Sequence, residues 1–70
     1  MEAQAFSEAL SSAKAQHPFR PFVVVLVDDR RIAIDRGDAF TMRDGVGVFV
    51  ASGGVPIVFD HKGVSQFIGE

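Results

Sequence analysis

Residues 18–27 read Pro-Phe-Arg-Pro-Phe-Val-Val-Val-Leu-Val, and this stretch decides what the rest of the chain can form. Pro18 and Pro21 fix the backbone angle φ and lack an N–H donor, so the stretch cannot begin as a helix. The aliphatic run after Phe22 is typical of a strand that is buried on both faces. We therefore expect a β-strand at 22–27, with one helix before it and further strands after it.

The segment before Pro18 has the apolar spacing of an amphipathic helix. Phe6, Leu10 and Ala13 recur at intervals of three and four residues, which places them on one face of a helix. The alanines of the segment favour helix, and Pro18 restricts the preceding residue to extended conformations. The pattern predicts a helix at about 3–15 that packs its apolar face on a sheet.

Turn signals divide the rest of the chain into short strands, and the Asp44-Gly45 pair is the strongest of these hairpin signals. Residues 37–45 are predicted as two bends, between which apolar residues alternate. Pro56 indicates a strand at a sheet edge or a bulge, because proline cannot donate to a ladder. The predicted strands after the first lie at 31–36, 46–51, 55–59 and 64–68.

Two features of these strands concern surfaces that a partner would cover. One face of the first strand is expected to point to the core. The opposite face carries Val23, Val25 and Val27, which we expect to form a second buried face. The strand around Pro56, or the one at 46–51, is expected to be open for pairing with another chain.

The element order predicts a mainly β protein of the α+β class in a single domain, 1–70. One N-terminal helix precedes five short strands joined by loops of two to five residues. This order is typical of a strongly bent antiparallel barrel of the SH3-like or Sm-like type.

The composition indicates association. A chain of 70 residues buries only about 60% of the surface that its unfolded form exposes. With no Cys and two His, neither a disulfide nor a zinc site compensates. Because the hydrophobic fraction is 47%, we expect a homo-oligomer or a protein partner to cover part of the surface. No cofactor and no metal are expected.

The charge pattern restricts the partners. Net charge is −2, which disfavours nonspecific binding to nucleic acid. No stretch approaches the ~20 apolar residues of a membrane span, and residues 1–16 lack the pattern of a signal peptide. We therefore expect a cytoplasmic protein with no membrane partner.

Charged residues cluster around the first predicted turn. Four Asp lie between residues 28 and 38, but without the alternating offsets and distal Glu of a calcium loop. They are predicted to pair in solvent with Arg30, Arg31 and Arg36. Arg20 is expected to stack on a neighbouring ring or pair with Asp28, and its functional alternative is to hold a phosphate or a partner's carboxylate.

Two resemblances follow from these residues. The Phe-Arg-Pro-Phe run at 19–22, with its apolar strand and Asp-Arg turn, resembles a group of short uncharacterised bacterial proteins and implies no function. The junction at 57–64, Ile-Val-Phe-Asp-His-Lys-Gly-Val, resembles that of Sm-like proteins, including bacterial Hfq-type RNA chaperones. In those relatives an aromatic residue, a Lys and a His line an RNA-binding pore in a ring. Phe59 and His61 match that pattern, while Asp60 stands at the Lys position and Lys62 follows.

We expect a non-enzymatic interaction module that self-associates through sheet edges. The alternative is an Sm-like RNA-binding ring protein, with no catalytic residues. A small hydrolase using His61 with Asp60 or Ser65 is a remote third option. The residues expected to contact RNA or a partner are Arg20, Arg30, Arg31, Phe59, His61 and Lys62.

Overall fold

A computed structural model describes residues 1–69, so Glu70, the last residue of the predicted domain, lies outside the described residues. The described chain is α+β, as predicted, with one helix and six strands in two antiparallel sheets. The elements are α1 (Ala3–Ala15), β1 (Phe22–Leu26), β2 (Arg31–Ile34), β3 (Phe40–Arg43), β4 (Val46–Ala51), β5 (Val55–Asp60) and β6 (Val64–Gly69). A 3-10 helix at His61–Gly63 joins β5 to β6.

Helix α1 has the predicted bounds and the predicted apolar face. Phe6 and Leu10 are 0% and 1% exposed, and Ala13 packs beside them. The helix ends at Ala15, where Gln16 turns into extended backbone ahead of the prolines. The amphipathic period and the proline stop are sufficient to place this element.

The first sheet has the strand order β2-β1-β6 and the second has the order β3-β4-β5. Strand β3 was missing from the prediction, which had five strands instead of six. It has only four residues between two turns, too few for alternation alone to identify it. The turn at Asp44 and Gly45, with φ of +53° and +79°, is the predicted hairpin, and it pairs β3 with β4.

The core lies where the helix and both sheets meet. Its phenylalanines contact one another edge to face: Phe22 of the first sheet lies 5.7 Å from Phe40 of the second, between ring centroids. Phe6 of the helix lies 6.0 Å from Phe59. The buried cluster consists of Phe6, Leu10, Phe22, Val24, Ile32, Ile34, Phe40, Phe49, Phe59 and Val64.

The second face of β1 is only partly buried. Val25 is 5% exposed although it lies outside the core cluster, and Val23 is half-buried. Val27 is 67% exposed, so the prediction that it belongs to a buried face is wrong for the single chain. The strand ends at Leu26, because Leu26 and Asp29 close the turn to β2 through a backbone hydrogen bond of 2.9 Å.

The strand order corrects one expectation about open strands and confirms another. Strand β4 at 46–51 is the centre of its sheet, so the prediction that it is open is wrong. Strand β5, which contains Pro56, lies at the edge of the sheet, as the proline indicated. In residues 1–69, no helix has the length and apolar character to cross a membrane.

Gly47 makes room for the largest side chain of β5. It lies opposite Phe59 in the ladder, and a Cβ at this position would stand 2.6 Å from Cε2 and Cζ of that ring. Real Cβ atoms are not found that close to a ring, so any side chain at this position displaces Phe59. Gly47 therefore serves close packing between neighbouring strands.

We predict that Gly47→Ala lowers the free energy of unfolding by about 1–3 kcal/mol, because it overpacks a buried ring. Gly69→Ala is the matched control, since its added Cβ meets no atom within 4 Å. Denaturant unfolding of both variants measures the difference. If the clash with Phe59 is the cause, the double variant Gly47→Ala/Phe59→Leu loses less free energy of unfolding than the sum of the losses in the two single variants. Strictly additive losses would contradict this explanation.

Candidate functional site

Phe59, expected as a surface for base stacking, lies in the core. It is 4% exposed and packs edge to face on Phe6. Phe59 and Ile57 are two residues apart and share one face of β5, and this pattern predicts that Phe59 faces the core. A buried ring cannot stack on a nucleic-acid base.

His61 is held by contacts within the chain. Its backbone N–H donates to the carbonyl of Gly45 at 2.8 Å, and its Nδ1 lies 3.0 Å from the carbonyl oxygen of Met1. Its ring packs so closely on Gly45 that a Cβ there would lie 2.6 Å from Cδ2. These contacts give His61 a packing role between Met1, which precedes α1, and the β3–β4 turn.

Asp60 and Lys62 complete the turn between β5 and β6. The Asp60 Oδ1 accepts a hydrogen bond from the backbone N–H of Gly63 at 2.8 Å, so this side chain caps the 3-10 helix. Lys62 is exposed. Of Phe59, His61 and Lys62, only Lys62 is exposed.

The three arginines of the predicted site do not line a common groove. Arg20 is exposed beside a shallow groove next to α1, and Arg31 is exposed at the start of β2. Arg30 donates from Nε to Asp28 at 2.8 Å, so the expected partner of Arg20 is bound to Arg30 instead. Only Arg30 and Phe59 of the six predicted residues line the same groove.

That groove runs between the β1–β2 turn and β5, with a volume of about 420 Å³. Val27, Val46 and Val58 line it and are 67%, 38% and 65% exposed. Val55, at the other end of β5, is 58% exposed, and Pro56 beside it is exposed too. We call Val27, Val46, Val55, Pro56 and Val58 the β5 edge surface.

The backbone of β5 determines what the β5 edge surface can bind. Val50 donates its N–H to Ala39 at 2.8 Å, which directs its backbone groups away from β5. Pro56 lies opposite Val50, so in an antiparallel ladder its carbonyl points to the open edge. By the same alternation, Val58 and Asp60 direct both N–H and C=O outward. Strand β5 therefore presents two donors and three acceptors to a neighbour.

A larger cleft, of about 550 Å³, lies between the end of α1 and the β4–β5 turn. Three of the four charged side chains that line it have partners within the chain, and Asp35 is the fourth. Arg36 pairs with Asp38 at 3.2 Å, with both side chains exposed. Lys14 donates to the carbonyl of Phe40 and lies 5.0 Å from the centre of that ring. Within residues 1–69, no three or more His, Asp or Glu side chains are grouped to hold a metal ion.

The sequence alone did not indicate that Val27, Val46 and Val58 lie together. They come from three different strands or turns, and each is a plausible core residue by type. The available signal was Pro56, which marks β5 as an edge and so allows the side chains that alternate with Phe59 to face solvent. No protein-family model, curated protein or solved structure matches the chain significantly.

Two ion pairs beside these grooves shift carboxyl pKa values. The backbone N–H of Arg30, followed by its side chain, donates to Asp28 and lowers the pKa of that carboxyl against an opposing effect of desolvation. The side chain of Arg36 lowers the pKa of Asp38, and the same bond raises the pKa of Arg36. A carboxyl whose pKa is lowered in the folded state stabilises the fold at pH values above its ordinary pKa of about 4. This stabilisation is lost as the pH falls through the lower folded-state pKa.

We predict that Arg36→Ala raises the pKa of Asp38 toward its ordinary value, whereas Arg30→Ala leaves the pKa of Asp28 lowered. The backbone donor to Asp28 survives the second substitution, and the side-chain donors to Asp38 do not survive the first. NMR titration of the carboxyl carbons between about pH 2 and 6 measures both values. An ordinary pKa for Asp28 in Arg30→Ala would show that the side chain alone causes the shift.

Proposed function

We propose that this chain is a non-catalytic interaction module that self-associates through the open edges of its sheets. The observation that carries the proposal is the β5 edge surface, where exposed valines flank unpaired backbone groups. Such an edge is a template for pairing with another strand. Native proteins protect edges with charges, proline, bulges or a covering element; β5 has one charged residue, Asp60, and one proline, and its other side chains are apolar.

The proposal includes a finer architecture, in which the two sheets are the halves of a small, strongly bent barrel of the SH3-like type. Both sheets contribute to one core, as the contact of Phe22 with Phe40 illustrates. Residues 35–39 lead directly from β2 to β3, and Ala39 already accepts a hydrogen bond from Val50 of β4. These features support a single sheet that bends sharply between β2 and β3.

An Sm-like RNA-binding ring is the alternative proposal. Its support is the exposed Lys62 on a turn between the last two strands, the position that the resemblance indicates. Arg30 beside the groove would be a further phosphate contact, although it is bound to Asp28. The burial of Phe59 and the acid at position 60 favour the protein-interaction proposal over this one. A small hydrolase remains the remote alternative, with Asp60 engaged in capping and His61 in packing.

We expect the average mass in multi-angle light scattering to rise with protein concentration, and Val58→Lys to return it toward that of one chain. A lysine on an exposed edge position opposes strand pairing and should not unfold the chain, because Val58 is 65% exposed. Ala5→Lys on the exposed helix surface adds the same charge and serves as the control. A mass of one chain at every concentration would contradict self-association.

A fluorescence titration with a single-stranded RNA oligonucleotide separates the two proposals. We expect binding that is weak and independent of Lys62, because the surface charges of the turn include an acid. Tight, salt-dependent binding that Lys62→Glu abolishes would favour the RNA-binding ring instead. In the same variant, self-association measured by light scattering is expected to be unchanged.

A further inference from the structure

We propose that β5 pairs with β5 of a second copy, antiparallel and about a two-fold axis at Val58. This inference rests on the proposed self-association and identifies the edge, the register and the symmetry. It joins the two second sheets into one sheet of six strands, β3-β4-β5-β5-β4-β3. The reasons are the hydrogen-bonding pattern of the edge, its charges and the position of its apolar side chains.

The outward backbone groups of β5 match those of an inverted copy. In the Val58 register, the two Val58 residues exchange a pair of N–H to C=O bonds. Each Asp60 N–H then meets the carbonyl of Pro56 in the other copy. Pro56 has no N–H to give in return, so the Asp60 carbonyl at each end gains no bond from the other copy. The pairing makes four backbone hydrogen bonds.

Neighbouring registers fit less well. A slip of two residues places Pro56 opposite Val58. Val58 then donates to the Pro56 carbonyl and receives nothing in return, so the number of backbone hydrogen bonds falls from four to two. A slip in the other direction places Asp60 opposite Val58 and brings the two carboxylates to within about 7 Å along the strands. In the Val58 register the carboxylates are roughly 14 Å apart, beyond the screening length of ~8 Å. The charges therefore favour the Val58 register.

The same pairing covers most of the exposed valines. Pro56 of one copy lies opposite Asp60 at the end of β5 in the other copy, and Val55 extends one residue beyond it. Val46 pairs with Asp60 there, and the N–H of Val27 donates to Gly63 at 2.9 Å, so both valines lie close to that end. The two Val58 side chains meet on the axis. One interface thus buries apolar surface at both ends and at the centre of the strand.

The size of this surface sets the expected strength of the dimer. A six-residue strand is roughly 20 Å long, and an edge contact of that length falls below the ~1,200 Å² of a stable interface. We therefore expect a weak dimer whose population depends on concentration, not a permanent one. An apolar surface with one acid per strand also fits a second copy better than a nucleic acid.

Thiol crosslinking tests the axis, because the chain contains no other Cys. Val58→Cys alone should give a covalent dimer with a short bismaleimide, since both thiols lie on the axis. Ser65→Cys, which is exposed on β6, is the matched control and should give none. If only a mixture of the two variants crosslinks, β5 pairs with β6 of the next copy; the two-fold dimer is then wrong while self-association stands. No crosslink together with a single-chain mass would overturn both.

Pro56→Ala tests the register without a crosslinker. The substitution adds an N–H that faces the Asp60 carbonyl of the other copy, twice per dimer, and this carbonyl has a second lone pair to accept it. We expect the dimer dissociation constant to fall roughly tenfold, as two added hydrogen bonds imply. Sedimentation equilibrium measures the constant, and circular dichroism confirms that the variant is folded. An unchanged or larger constant in the folded variant would overturn the Val58 register.

Discussion

The fold depends on the burial of Phe6 between two sheets that do not share a hydrogen-bonded ladder. Its ring lies 6.0 Å from Phe59 of the second sheet and 6.0 Å from Phe67 of the first, measured between centroids. Because each sheet has only three strands, neither has a buried face without the other and the helix. The helix is thus part of the core and not an attachment to it. In a chain with no disulfide, this packing provides the main stabilisation.

The packing also decides which residues are free for function. Gly47 admits the ring of Phe59, which is buried, and Gly45 admits that of His61, which is half-buried, so both side chains are held by the chain itself. Two residues that a resemblance to RNA-binding proteins singled out are therefore structural in this molecule. What remains at the surface is the opposite side of the same strand, where Val58 faces solvent. The interaction proposal and the structural role of Phe59 have a common origin in the alternation of β5.

The helix and most strands could be predicted because local signals define them. Helical spacing and Pro18 define α1, and the Asp44-Gly45 turn defines the start of β4. Strand β3 was not predicted, since a four-residue segment between turns has too little alternation. The β5 edge surface could not be predicted for a different reason. Whether a valine of an apolar strand faces the core or solvent depends on the strand order, which is a tertiary property. The ion pairs of Arg30 and Arg36 could be predicted, because each binds an acid two residues away in sequence. The surroundings of Arg20 could not, because it has no acid at that spacing.

Amide hydrogen exchange at increasing protein concentration, resolved by NMR, tests most directly whether the β5 edge is the surface of association. The N–H groups of Ile57 and Phe59 point into the sheet and should be protected at every concentration. The N–H groups of Val58 and Asp60 should exchange rapidly in dilute protein and become protected as the concentration rises. Protection of Val58 in dilute protein would show that the edge is covered within one chain. Rapid exchange of Val58 in a sample that light scattering shows to be associated would place the contact elsewhere.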